Sequence, residues 1–145
     1  MKHIYTFVCL FLFSSVVAGD QWLCIPDRAI GFVYNEVKQK WTEASFKVEE
    51  KRWIISESES AGYAYEVNRF GKDNLDLTSL YCKEDFSEYG YLSCDGAGEL
   101  RFNRDNLRYI KTYTLGYFNV LPDVNKIADA DSDTPSMEIG KCSSF

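Results

Sequence analysis

The stretch Gly98 to Asn119, GELRFNRDNLRYIKTYTLGYFN, decides the fold. Leu100 and Phe102 alternate with Glu99 and Arg101, and Asn103 to Asn106 supplies turn formers. Leu107, Tyr109, Tyr113, Leu115 and Tyr117 then mark one face of a long second strand. Two joined strands expose too much apolar surface to be stable in water, so the rest of the chain must pair with this hairpin and pack on it.

Short alternating runs continue on both sides of it. Gln21 to Ile25 carries Trp22 and Cys24 on one side and is ended by Pro26-Asp27. Ile30, Phe32 and Tyr34 alternate through Ala29 to Asn35, and Trp41 to Val48 and Arg52 to Ser56 follow. The Ser/Glu run Ser56 to Ser60 reads as a solvated loop, after which Gly62 to Phe70 alternates with Tyr63, Tyr65 and Val67 on one side. Leu75 to Cys82 and Tyr89 to Cys94 bracket an acidic connection, and Ser136 to Cys142 closes the chain with Met137 and Ile139 as its apolar marks. Pro122 to Pro135 reads as a surface loop, although Val120, Val124 and Ile127 would also suit a short helix within Asn119 to Ala130. The pattern predicts an all-β chain, a single antiparallel domain over residues 19–145 with about eight to ten short strands in a small barrel or sandwich.

A basic start at Lys2, an apolar run from Ile4 to Val17 and small residues before Gly19 describe a secretory signal peptide over residues 1–18, cleaved after Ala18. The run is shorter than the roughly 20 residues that cross a bilayer, so no stable membrane span is expected. Four cysteines follow the leader: Cys24, Cys82, Cys94 and Cys142. They allow three connectivities, of which Cys82 with Cys94 and Cys24 with Cys142 is preferred because the first pair flanks a turn and the second ties the ends. A zinc site is the rival, but no C-x-x-C pair is present and an export route favours oxidation. The expected address is periplasmic or secreted.

The chain has 16 basic and 22 acidic residues, and loss of Lys2 with the leader makes it one unit more negative than −6. Such a surface repels phosphate backbones and suits a basic partner, so nucleic acid is not expected as a ligand. The only histidine, His3, lies in the leader. Histidine-dependent nucleophilic systems and most transition-metal sites are thereby excluded, and no cofactor is expected. Carboxylate chemistry remains, with Glu84, Asp85, Glu88 and Glu99 as the available acids, and gives the alternative of a carboxylate-dependent glycan hydrolase. Asp129, Asp131 and Asp133 alternate like the start of a calcium loop. Thr134 occupies its glycine position and Gly140 its bidentate-glutamate position, which leaves at most a loose calcium site. The aromatic residues are the remaining signal, three Trp, ten Tyr and ten Phe. Tyr63, Tyr65, Tyr109, Tyr113 and Tyr117 are the candidate binding residues, with Tyr89 and Tyr91 beside them, for a protein or glycan partner.

Trp22-Leu23-Cys24, Gly31-Phe32-Val33-Tyr34 with Lys40-Trp41, Arg101-Phe102-Asn103 with Leu107-Arg108-Tyr109, Gly116-Tyr117 and Glu138 to Ser143 resemble a family of small uncharacterised exported proteins of bacteria. The resemblance implies a periplasmic address and brings no activity. In size, β-barrel character and a disulfide tying the ends, the chain is also similar to the periplasmic inhibitors of C-type lysozyme. Ser60-Ala61-Gly62-Tyr63-Ala64-Tyr65 stands where their Ser-Gly-x-x-Tyr loop would be, with Ala61 in place of its glycine. That resemblance would give Ser60 and Tyr65 an inhibitory role against a basic lysozyme. Together these readings describe an exported, non-enzymatic binding or inhibitor module, with a structural component of the envelope as a further alternative.

Overall fold

The computed structural model describes residues 20–71, 79–118 and 134–145. The expected leader, the start of the expected strand Leu75 to Cys82, the helix weighed over Asn119 to Ala130, and Asp129, Asp131 and Asp133 lie outside these residues. The described strands are β1 (Trp22–Asn35), β2 (Lys40–Phe46), β3 (Trp53–Glu57), β4 (Tyr65–Arg69), β5 (Leu80–Cys82), β6 (Tyr91–Gly96), β7 (Glu99–Asn103), β8 (Arg108–Tyr113) and β9 (Ser136–Ser144). One helical turn, α1 (Leu115–Phe118), follows β8. Every pairing is antiparallel, and β1 pairs with β9, so eight strands close into a barrel with β2 as an extra strand. Of barrel and sandwich, the chain forms the barrel.

The opening hairpin forms as β7 and β8, with Phe102 opposite Tyr109. Asn103 Oδ1 accepts the N–H groups of Asp105 and Asn106, and Asn106 Oδ1 accepts that of Arg108, so the turn is closed by its own side chains. Leu107 belongs to the turn, at φ 57°, and not to the strand face expected of it. The second strand is also shorter than expected: it stops at Tyr113, and Leu115 and Tyr117 lie in α1.

β1 is the main departure from the sequence reading. Pro26-Asp27 was expected to end one strand; instead a single strand of 14 residues runs through it, with a register shift against β9 between Pro26 and Arg28. Proline lacks the N–H that a central strand must donate, and a bulge is where a sheet tolerates it. The extra residue inverts the alternation. Trp22 and Cys24 face inward before the bulge, Ala29 does so after it, and Ile30 and Phe32 are left 56% and 53% exposed.

β9 differs in the same way. Met137 and Ile139 are more than 40% exposed, while Glu138, Gly140 and Cys142 face inward. Gly140 has a steric reason to be glycine: a Cβ there would lie 2.3 Å from the Ile25 carbonyl oxygen and 2.6 Å from the Tyr109 ring. The interior is built from Ile55, Val67, Leu80, Leu92, Leu100 and Phe102, all nearly without solvent contact. Trp22 meets Phe86 at 5.1 Å and Phe102 at 5.5 Å between ring centroids, filling the end of the barrel where β1 begins.

Both disulfides join residues that face each other across a strand pair. Cys24–Cys142 sits on the β1–β9 seam that closes the barrel, and Cys82–Cys94 beside the short β5–β6 pairing. In the loop-entropy account, opening the first by Cys24→Ala/Cys142→Ala should cost about 4 to 5 kcal/mol and Cys82→Ala/Cys94→Ala about 3 kcal/mol. Guanidinium unfolding of the two double variants, each with the other bridge intact, checks the order. An equal or reversed loss would show that the terminal seam is not the dominant staple.

Candidate functional site

The five candidate tyrosines do not form one patch. Tyr65 and Tyr109 are 8% and 4% exposed, so the expectation that they belong to an exposed tyrosine patch is corrected: both rings are interior. They lie on the inward face of β4 and β8, where bulky amphipathic rings fill a small barrel. Tyr65 therefore cannot serve as the exposed loop residue that the inhibitor resemblance implies, whereas Ser60 is exposed in the turn before β4. Tyr63 packs on Tyr81 with ring centroids 4.9 Å apart and planes tilted by 40°, and Tyr89 and Tyr91 stand exposed elsewhere.

Tyr113 and Tyr117 converge on a different feature. An open groove of about 960 Å³ lies between the β1–β2 hairpin and the ends of β8 and β9, and Tyr113 lines it. Tyr117, 60% exposed, packs on Trp41 at 5.4 Å, and Trp41 in turn packs on Tyr34 at 5.7 Å. Trp41 also lines the groove, with Ile30, Phe32 and Met137 as its other large apolar residues. Ile30 lies directly opposite Met137 in the β1–β9 ladder, and both share the outer face that the bulge exposes. Thr42, Thr112 and Thr114 are in the lining, and the charges of Lys40 and Glu43, also there, have opposite sign. An uncharged, partly apolar ligand with hydrogen-bonding groups matches such a lining.

The hairpin that forms one wall overshoots the barrel. β9 pairs with β1 only up to Gly31, and Phe32 N–H donates to the Pro135 carbonyl oxygen at 3.0 Å as the last link. Beyond that link, Val33 to Asn35 pair only with β2 among the described residues. β2 itself is the first strand in the sheet order, so its second edge has no strand on it among the described residues.

Inside the barrel, near the same end, sits a carboxylate that sequence reasoning missed. Glu138, 5% exposed, accepts hydrogen bonds from Trp53 Nε1 at 2.6 Å and from the Tyr109 hydroxyl at 2.8 Å, and lies 3.7 Å from Lys51 Nζ. Lys111, its neighbour across the β8–β9 ladder, places Nζ over the Trp53 ring at 4.7 Å. Burial pushes the Lys111 ammonium below its usual range, Glu138 acts against that, and Lys51 adds to it. Burial and the Glu138 carboxylate hold the Tyr109 phenol far above its usual range. The signal that could have found Glu138 is Cys142: a disulfide half on the inward face makes Gly140 and Glu138 inward too. The acids weighed for hydrolysis, Glu84, Asp85, Glu88 and Glu99, are all exposed, and none lines the groove.

The Tyr109 shift has a definite sign. A phenol that ionises near pH 10 only in the unfolded chain contributes stability below that pH and withdraws it as pH rises further. Lys111 acts oppositely, adding stability as pH rises from its lowered value toward about 10.4. Tyr109→Phe should cost about 1 to 3 kcal/mol at pH 8 through its lost hydrogen bond, yet lose less than the parent between about pH 10 and 11.5. Unfolding midpoints over that range test this, and parallel losses would count against a phenol kept neutral by Glu138.

No family model, no curated protein and no solved structure matches this chain, so the functional reading rests on its own residues and geometry.

Proposed function

We propose that this protein is an exported, non-enzymatic binding module that takes an extended segment of a partner protein along β2 and the adjoining groove. The observation that carries the reading is the coincidence of two features in one place. A strand of seven residues without proline has no strand on its outer edge among the described residues, and an apolar groove runs beside it, lined by that same strand from Lys40 to Ser45. Unpaired backbone N–H and C=O groups on a sheet edge are a template for another strand, while neighbouring apolar pockets select its alternate side chains. Ile30, Phe32, Trp41 and Met137 supply those pockets.

Other features support a binding role over catalysis. His3 is the only histidine, and all four cysteines beyond the leader are in disulfides. The one buried carboxylate among the described residues is held by Trp53, Tyr109 and Lys51 and serves the interior. The two disulfides fit an oxidising compartment, and within that the bacterial periplasm is the address we favour. An inhibitor works by occupying its target in this manner, so the two roles differ only in which segment is bound.

A photo-crosslinking residue at position 32, with the same residue at position 91 as control, tests the reading in envelope extract. The expected result is one adduct specific to position 32, lost in an Ile30→Asp/Trp41→Asp background whose melting temperature is unchanged. In the purified complex the amides of Lys40 to Phe46 should exchange at least about tenfold more slowly. Identical adducts from positions 32 and 91, or no protection of β2, would reject the groove as the binding surface.

A further inference from the structure

The opposite end of the barrel carries a different chemistry, which does not depend on the groove. Trp22 pairs with Ile55, so Asp20, two residues before Trp22, leaves the barrel on the level where Glu57 follows Ile55. Glu57 lies directly across from Tyr65 in the β3–β4 ladder. Asp85 precedes Phe86, whose ring packs on Trp22 and on Tyr65 at 5.1 Å each. Three carboxylates from three separate parts of the chain thus rim an aromatic floor. All three are exposed, and none forms an ion pair among the described residues.

A second observation points into this rim. Tyr65 is more than nine-tenths buried, yet its hydroxyl makes no hydrogen bond among the described residues. Burial, then the charges of Asp85, Asp20 and Glu57, hold its phenol above the usual range, with Arg104 acting against them. The hydroxyl therefore lies within reach of the charges of the acidic rim and has no hydrogen-bond partner among the described residues. The Arg104 guanidinium lies 4.7 Å over the Phe86 ring, which shows by an internal example that this edge of the floor accepts a flat cation.

We infer that this end of the barrel is a receptor for an arginine side chain presented by a basic polypeptide. A compact metal ion fits poorly, because among the described residues no three acidic, cysteine or histidine side chains converge on a point that could hold one. A guanidinium spreads its charge over five N–H donors in a plane, reaches separated carboxylates and stacks on aromatic faces at the same time. The Tyr65 hydroxyl accepts one of those donors. The net negative charge of the chain draws such a partner in, and the rim gives it a place to dock.

Calorimetric titration of the mature chain with a hexa-arginine peptide at about 0.15 M salt tests this, since that ionic strength screens charges beyond roughly 8 Å. Asp20→Asn/Glu57→Gln should weaken binding at least about tenfold, whereas Asp95→Asn/Glu99→Gln, which removes the same charge on β6 and β7, should change it less than about twofold. Tyr65→Phe, which keeps the ring, should weaken it about threefold with an unchanged melting temperature. Hexa-lysine should bind more weakly than hexa-arginine. Equal losses in the two double variants would mean diffuse attraction to an acidic protein and would overturn the assignment. Equal affinity for hexa-lysine, or calcium competing at the same rim, would overturn the choice of arginine.

Discussion

Everything else in this molecule depends on the first strand meeting the last. A sheet of eight strands leaves two edges in water unless β1 pairs with β9, and that pairing runs from Trp22 opposite Ser144 to Gly31 opposite Ser136. Bringing chain ends together is the most costly loop closure a domain makes, and the Cys24–Cys142 bridge, 118 residues apart, removes that cost from the unfolded side. Local fit matters equally. Gly140 lets the two backbones approach at the bulge, and Pro26 sits where no ladder hydrogen bond is lost. A larger residue at 140 would push the seam apart at the one place where the barrel has no alternative partner.

The groove follows from the same seam. β1 is longer than the stretch β9 can cover, so its last residues pair with β2 alone among the described strands, and the bulge has already turned Ile30 and Phe32 outward. Without the bulge those side chains would enter the barrel, where Glu138 and Lys111 already occupy the space at that end. The interior is correspondingly asymmetric. Aromatic rings fill the end near Trp22, and a charged pair tied to Trp53 and Tyr109 fills the end near the groove. Burying Glu138 is tolerable because Trp53, Tyr109 and Lys51 all meet its two oxygens, and removing any one of them would expose how narrow that margin is.

Much of this architecture was legible in the sequence, for a definite reason. Alternation with period two identifies strands, and an even set of cysteines identifies bridges; both bridges and the antiparallel all-β domain appear as expected, and of barrel and sandwich the barrel forms. Period two does not say which of the two faces is inside. Met137 and Ile139 are the apolar marks of their strand, yet they face out because Cys142 must face in. Ile30 and Phe32 mark their strand in the same way and are turned outward by the register shift between Pro26 and Arg28. Tyr65 and Tyr109 erred in the opposite sense, since tyrosine satisfies the demands of a wet patch and of a core with a polar partner equally well. The groove was invisible because it depends on the mismatch between two strand lengths, which no local window contains.

A closed barrel also limits where function can reside. Along the walls every strand is paired on both sides, so the backbone has nothing to offer a partner and only scattered side chains remain. The ends are different: strands stop there at unequal heights, and inward-facing positions become a rim. Here one end projects β2, whose outer edge carries no strand among the described residues, and the other gathers the charges of Asp20, Glu57 and Asp85 near Tyr65. The two ends differ in the forces they can use, apolar contact and backbone pairing at one, charge at the other. A partner engaging the acidic rim would be drawn from a distance and held weakly in concentrated salt, whereas one engaging β2 would associate slowly and be held by contacts that salt barely affects. Salt dependence of any complex therefore separates the two ends before a single residue is changed.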